Sequence, residues 1–445
     1  MSDEALCNDV IQQVDATLKN DDRILVAYSG GIDSSVLLHA LMTIRGKLRP
    51  ALMLRAVYVH HGLSKHAGEW AEHCRLQCEK WNIPLQIAYV NVEPSLTGIE
   101  AAAREARYQA LSYLLSDSDV LVTAQHRDDQ CETFLLALKR GSGPAGLSAM
   151  PERMMFGDYQ QVRPLLNVSR QQIEDYARIQ KLRWVDDDSN QDARFDRNFL
   201  RLNILPTLEQ RWPQFSRMVS RSAALCAEQE RLLDELLAPT LSRLVDVNSA
   251  IDIDGLSSVS DSQRRALLRR WLSQQGMMMP SQDQLEKLWW EVALSQQDAE
   301  PQLRLGNYQI RRYQQRLYLL PIMQPVDEIQ LVWDGKSTLR LPDSLGELTP
   351  DEPGEVVRSP GADEPVTVRF SAPGNLKIHI VGRTHSRSLK KLWQELDVPV
   401  WLRQRTPLLF YGDKLIAALG VFVTVEGQRQ GDDAGWNIRY QKKSY

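Results

Sequence analysis

The sequence predicts an α/β fold. A doubly wound, mostly parallel sheet fills the N-terminal half, followed by a small helical domain and a strand-rich C-terminal domain. Three observations lead there. Short apolar runs alternate with helical patterns four times up to Lys139, as β-α units with short connections do. After Arg211-Trp212-Pro213 the pattern turns to amphipathic helices. A Pro/Gly-rich acidic stretch then precedes a strand-rich end. A chain of 445 residues also exceeds one ordinary domain. The expected division is 1–213 for the sheet domain, 214–322 for the helical domain, 323–365 for a linker and 366–445 for the last domain.

Taken in order, Ile24–Tyr28 is an apolar strand that ends at a Gly pair, and Ser34–Leu41 is helical. Leu54–Val59 and Ala67–Trp81 form the second strand and helix, Leu85–Val92 and Ile99–Leu115 the third, Val120–Ala124 and Asp128–Lys139 the fourth. Ser216–Leu237 is a long amphipathic helix expected to stop at Pro239, since proline lacks an N–H and clashes with the preceding turn. Ser262–Gln274 is helical, and Ser281 with Gln284 forms a capping box opening a helix that runs to Leu294. Leu303–Leu320 reads as a hairpin. From Arg340 to Pro365 seven acidic residues face two basic ones amid Pro and Gly, a composition expected of a linker. The last segment holds one helix, around Ser388–Leu396, among strands.

Lys+Arg number 53 and Asp+Glu 57, a net charge of −4, so the whole chain does not have the charge of a general nucleic-acid binder. The five cysteines are few, odd in number and without a C-x-x-C pair, which points to a reducing compartment and no disulfide framework. Cys74 and Cys78 read as small buried residues rather than metal ligands. The acidic N-terminus lacks the pattern of a signal peptide, and no apolar run is long enough to span a membrane. A cytoplasmic protein is expected.

Ser29-Gly30-Gly31-Ile32-Asp33-Ser34 follows a buried strand and opens a helix. Glycines let the backbone turn sharply and approach a phosphate, and the helix N-terminus supplies N–H donors and partial positive charge. The Ser29 and Ser34 hydroxyls add donors. A carboxylate at Asp33 meets phosphate only through a mediator, which suggests Mg²⁺. The loop is not a Walker A motif, for no Gly-Lys-Ser/Thr follows.

SGGIDS resembles the PP-loop of the N-type ATP pyrophosphatases. This superfamily includes GMP and NAD synthetases, tRNA thiolases and the tRNA(Ile)-lysidine synthetases. The resemblance implies ATP cleaved between its α- and β-phosphates, transfer of AMP to a substrate oxygen, and release of pyrophosphate. Further stretches are similar to the tRNA(Ile)-lysidine synthetase family: Val59–Leu63, Gly98–Arg104 with Arg107-Tyr108, His126–Thr133, Asp186–Asn190 leading to Arg197–Arg201, Leu389–Trp393 and Pro407–Asp413. That family joins free L-lysine to C2 of the wobble cytidine in the CAU anticodon of an isoleucine tRNA. The resemblance therefore implies ATP and Mg²⁺ as cofactors, with lysine and that tRNA as partners. The oligomeric state stays open, a homodimer included.

His126, Asp128, Asp129 and Glu132 crowd a strand end and a first helical turn, where the helix dipole alone favours carboxylates. A lysine ammonium needs such a partner, yet attack needs the free amine, so a base must remove a proton late. Asp129, Glu132 and a phosphate oxygen are equal candidates. Arg197 and Arg201 share a helix face and are placed to clamp phosphate or pair with Glu132, with Asn198 between them. Asp33, Asp129, Glu132 and Arg201 are the expected catalytic set. Ser29–Ser34 and His60 are expected to hold ATP, with His60 and His61 on the adenine side. Glu100, Arg104, Asp129, Glu132, Arg197 and Asn198 are expected around lysine or the substrate base, although Glu100 and Arg104 also suit a plain intrahelical pair.

Between Arg369 and Arg405 eight basic residues face two acidic ones, with Trp393 and Trp401 interleaved. Arg387, Lys390 and Lys391 are the expected tRNA contacts, giving salt-sensitive affinity; core packing is the expected fate of the tryptophans. Arg264, Arg265, Arg269 and Arg270 make a second candidate surface. A tRNA thiolase is the nearest alternative, but it would need a reactive cysteine pair, and only Cys131 lies in the carboxylate cluster.

Overall fold

A computed structural model describes residues 3–62, 64, 66–91, 99–186, 192–277, 279–296, 301–429 and 435–442, with the backbone alone at 99–101. The chain divides into two units, Met1–Glu235 and Leu236–Tyr445.

The first unit is built on six strands: β1 (Arg23–Ala27), β2 (Met53–His60), β3 (Leu85–Tyr89), β4 (Val120–Val122), β5 (Arg153–Phe156) and β6 (Tyr159–Val162). They lie in the order β3-β2-β1-β4-β6-β5. All neighbours are parallel except the β5/β6 hairpin, which adds an antiparallel edge. The central strands are apolar on both sides because helices cover both faces. On one face α1 (Asp3–Thr17), α2 (Ile32–Lys47), α3 (Ala67–Lys80) and α7 (Arg170–Ile179) bury Val14, Leu37, Leu41, Cys74, Cys78 and Tyr176 against Ile24 and Val26. On the other, α4 (Ile99–Leu114) helps to bring Leu111 and Leu115 onto Leu25, Val57 and Leu121. Both α5 (Arg127–Lys139) and the short α6 (Pro144–Leu147) follow β4.

Strand order reverses at β1: β2 and β3 lie to one side of it and β4 to the other. A crevice opens beyond the carboxyl ends of β1 and β4, the place where such sheets bind ligands. The glycine loop follows β1 and the carboxylate cluster follows β4, so both face that crevice.

After α7 come α8 (Asp196–Phe199), a π-helical turn (Leu200–Ile204) and α9 (Leu205–Arg211), then α10 (Phe215–Leu244). The expected stop at Pro239 is corrected, for α10 runs through it. A mid-helix proline costs about 3 kcal/mol. Leu237 and Leu241 on either side are buried in the second unit's core, and that apolar burial holds the helix together across the lost hydrogen bond.

The second unit opens with α11 (Ile253–Ser257), α12 (Asp261–Gln274) and α13 (Gln282–Lys287), the last capped by the expected Ser281/Gln284 box and continued by a π-helical turn to Ala293. These helices pack on a sheet of β7 (Ile251–Asp252), β8 (Gln302–Leu305), β9 (Tyr308–Tyr313) and β10 (Arg316–Pro321), ordered β7-β10-β9-β8. The hairpin expected over Leu303–Leu320 is corrected to a three-stranded antiparallel meander, β8-β9-β10.

The expected linker is also corrected. Residues 323–365 contain strands at Gln330–Val332, Leu339–Arg340 and Glu347–Arg358, and the last pairs with Gly435–Gln441. Val326, Trp333, Leu341, Leu348 and Val357 share one core with Val368, Leu409 and Ile438, so the stretch is part of the C-terminal domain. Three of the seven acidic residues between Arg340 and Pro365 form ion pairs: Glu352 across the strands with Arg439, Asp343 with Arg405 and Glu364 with Arg358. Part of the acid that resembles a linker therefore serves ion pairs of this domain.

Candidate active site

The crevice is a cavity of about 1100 Å³, lined among others by Ser29, Asp33, His126, Glu132, Arg170 and Arg201. Its floor is the glycine loop. Gly30 has φ +79°, and a side chain there would meet Cys74 Sγ and Val185. Gly31 is the N-cap of α2 without any side-chain cap bond, so the first N–H groups of a sixteen-residue helix point into the crevice. The Ser29 and Ser34 hydroxyls lie 3.1 Å apart at the loop mouth.

Asp33, on the first turn of α2, accepts a hydrogen bond from Arg170 Nη1 at 2.8 Å through Oδ1. Its Oδ2 has no partner among the described residues. Arg170 was not among the predicted site residues. A signal for it exists: Ser169 and Gln172 form a capping box that puts Arg170 in a first helical turn, where a cation is disfavoured unless a carboxylate compensates it. That carboxylate lies 137 residues away, and sequence alone does not connect them.

His126, 2% exposed, caps α5. Its Nδ1 accepts the Asp128 N–H at 3.2 Å, so in the neutral ring the proton sits on Nε2. Nε2 lies 3.4 Å from Asp129 Oδ2 and 3.6 Å from Asp33 Oδ1, standing between the two carboxylates. Asp128 turns to structural use: its Oδ2 accepts the Arg170 backbone N–H at 2.8 Å and joins the starts of α5 and α7.

Glu132 is fully buried, and burial raises its pKa against the opposing pull of Arg201. Arg201, from the π-helical turn, donates through Nε to Glu132 Oε1 at 2.7 Å and through Nη2 to Glu132 Oε2 at 3.0 Å and Asp129 Oδ1 at 2.7 Å. Arg197 stands 3.4 Å from Glu132 and donates to the Thr133 hydroxyl. The fold therefore brings Asp33, Asp129, Glu132 and Arg201 together, with Arg197 at the edge.

Other expected residues lie elsewhere. Asn198, on α8, donates to the Asp192 carbonyl in the loop before that helix. Arg104 is exposed and donates to the Tyr108 hydroxyl. His60 packs its ring on Tyr89, 5.0 Å between centroids, and does not line the cavity. The side chain of Glu100, and residues 187–190, are outside the described residues. Among the described residues no cluster of three or more His, Cys, Asp or Glu could hold a metal by protein ligands alone. The Asp33 carboxylate beside a phosphate loop fits a Mg²⁺ that takes most of its ligands from phosphate and water.

In the C-terminal domain Lys390 and Lys391 are exposed, while Arg387 stands 3.7 Å from Glu395. Trp393 is buried against Phe422, and Trp401 against Tyr313 and Tyr318, as expected of core residues. Arg405 is buried on Asp343 and leaves the basic patch. The α12 arginines are not an open surface. Arg264 is buried over Trp289, Arg265 pairs with Glu286, Arg269 donates to the Pro280 carbonyl and Arg270 to that of Ala266.

Residues 4–208 match the family described as PP-loop domain, residues 251–318 the TilS substrate binding domain and residues 366–440 the TilS substrate C-terminal domain. The chain is 54% identical over 434 residues to tRNA(Ile)-lysidine synthase from Edwardsiella ictaluri, covering 98% of each. It is 57% identical over 420 residues to the protein of that name from Pectobacterium atrosepticum, covering 94% of each. Among solved structures, the U34-tRNA thiolase NcsA from Methanococcus maripaludis aligns with 51% of this chain and 80% of its own, at 16% identity and a TM-score of 0.44.

Proposed function

The chain belongs to the tRNA(Ile)-lysidine synthase family, and from that premise we propose that it joins free lysine to C2 of the wobble cytidine of an isoleucine tRNA with a CAU anticodon. The observation that supports this best is that one cavity is lined by the phosphate loop, Glu132 and Arg201, with Asp129 hydrogen-bonded to that same arginine. One cavity then serves both an anionic nucleotide and a cationic amino acid.

In the first step the cytidine C2 oxygen attacks the α-phosphorus of ATP, an O–P bond forms and pyrophosphate leaves. In the second the lysine amine attacks C2, the C–O bond breaks, AMP leaves and the amine loses a proton. Ser29–Ser34 hold the phosphates through N–H groups and hydroxyls. When bound, Mg²⁺ neutralises charge on the phosphate oxygens. Asp33 would hold it through the unpaired Oδ2, while Arg170 keeps Oδ1. Glu132 has both oxygens occupied by Arg201 and serves to hold that arginine. Asp129, 15% exposed and bound through one oxygen to Arg201, is the carboxylate that receives the lysine ammonium. Its Oδ2 accepts the His126 backbone N–H at 3.0 Å and lies 3.4 Å from His126 Nε2, so His126 positions this carboxylate.

Lys390 and Lys391 are assigned to the tRNA backbone. Replacing both with Glu should weaken tRNA binding and flatten its dependence on salt, with each lost single-strand phosphate contact lowering the slope by about 0.7. An unchanged slope removes them from the interface. A tRNA substrate agrees with a cytoplasmic protein, and no helix among the described residues is long and apolar enough to cross a membrane.

A thiolase reading is disfavoured by Cys131, which is buried beneath Leu205 and Val219 with its thiol pushed up to about 12 by burial. A thiol kept protonated is a poor sulfur carrier. Incubation with ATP, labelled lysine and unmodified CAU-anticodon isoleucine tRNA should place label in tRNA with one AMP and one pyrophosphate per lysine. Formation of ADP, or turnover indifferent to lysine, refutes the assignment.

A further inference from the structure

Apart from Arg107, each arginine that lines the cavity has a partner. Arg170 is held by Asp33, Arg201 by Asp129 and Glu132, Arg127 by the Asn167 carbonyl and Arg217 by Gln214 Oε1. The Nε of Arg107 is buried without a hydrogen-bond partner, and its guanidinium meets no carboxylate among the described residues. Its nearest ring is Tyr108, at 5.9 Å.

Arg104 adds a like charge beside Arg107. His61 Nδ1 and Arg163 Nε are also buried and unpartnered, although the Arg163 Nη atoms donate to the Pro151 carbonyl and to Gln161 Oε1. Burial and then the Arg107 charge lower the His61 pKa, and burial with Arg104 lowers that of Arg163, which stays charged. A half-buried guanidinium with an unpartnered Nε and no counter-charge is costly to keep, and it is unsatisfied until an anion arrives.

We propose that Arg107, with Arg104 leading to it from the surface, forms a second phosphate subsite of the cavity, which takes a phosphodiester of the tRNA strand beside the reacting cytidine. This rests on the reading that a tRNA is the substrate. Two observations favour a strand over ATP. The ATP phosphates already have the loop that opens α2, whereas Arg107 is on α4, which packs on the opposite face of the sheet. The cations also run in sequence from exposed Arg104 to Arg107, whose Nε is buried, a layout that suits a chain entering from solvent rather than a compact ion. Arginine forks around phosphate oxygens in this way, and such contacts fix register without reading sequence.

The test compares wild type with Arg107→Gln, which keeps side-chain polarity and removes the charge. Binding of unmodified CAU-anticodon isoleucine tRNA is titrated against salt, ATP and lysine binding are followed by calorimetry, and the free proteins are melted. The proposal expects roughly tenfold weaker tRNA binding at moderate salt and a slope reduced by about 0.7. ATP and lysine affinities should stay within about twofold, the fold-change left when no charged contact is lost. The free variant should melt no lower than wild type, because it loses an uncompensated buried charge. Weakened ATP binding with an unchanged salt slope would assign Arg107 to the nucleotide, and weakened lysine binding to the lysine carboxylate; either overturns the proposal. An unchanged variant overturns it too. Failure of the wild type to bind the tRNA would instead refute the functional reading beneath it.

Discussion

Asp33→Asn should bind tRNA as wild type does and lose adenylation, with AMP and pyrophosphate release falling roughly a thousandfold, the upper range for removing one preorganised electrostatic group. The substitution keeps the shape of the side chain and the first turn of α2. Arg170 retains Glu174 at 2.8 Å, so no cation is stranded and the fold should hold. What disappears is the negative charge at Oδ2, the oxygen left open for a metal. Raising Mg²⁺ should recover part of the activity of the variant, since a weakened ligand set binds the ion less tightly. Retained turnover at ordinary Mg²⁺ would show that Asp33 does not hold the metal.

Arg201→Met should fail in two separable ways. It strands Glu132, which is fully buried, and breaking such a pair costs about 3 kcal/mol at the lower end of the usual range, appropriate because Arg201 is 34% exposed. It also frees Asp129 from its clamp, so lysine transfer should collapse. Adding Glu132→Gln should restore the melting temperature, because no buried charge remains, without restoring activity. The sign of the pH dependence follows from burial. Glu132 is raised above the ordinary carboxylate range in the wild type, and loss of Arg201 raises it further. Folded variant then binds a proton that the unfolded chain has released, so its stability falls as pH rises through that window. The gap in melting temperature from wild type should narrow from about pH 8 toward pH 5. A gap independent of pH, or a double variant no more stable than the single, would mean that Glu132 is not the group left stranded.

Strands β1 to β4 were legible because they are short apolar runs punctuated by glycine and polar clusters, whereas the β5/β6 edge, with its polar Tyr159–Val162 strand, was not. The glycine loop, Asp33 and the Asp129/Glu132 cluster are local in sequence and were found on that basis. Arg201 was legible as the i+4 partner of Arg197. Arg170 was not, because its partner is set by tertiary packing between α2 and α7. Residues 323–365 were misread because composition reports net acid but not which arginines lie across a strand. Pro239 misled for a similar reason: the rule that proline ends helices is local, and apolar burial around Leu237 and Leu241 overrides it. His60 and Asn198 follow the family pattern in sequence, yet their side chains turn to Tyr89 and Asp192.

The account stands on one cavity in which a tRNA oxygen is adenylated before lysine attacks. Its most direct test uses ATP labelled at the α-phosphate with unmodified CAU-anticodon isoleucine tRNA and no lysine. Label should accumulate on the tRNA, near one per active site, and leave as AMP when lysine is added, while Asp33→Asn accumulates none. Label that never joins the tRNA, or that appears on lysine instead, would contradict the account.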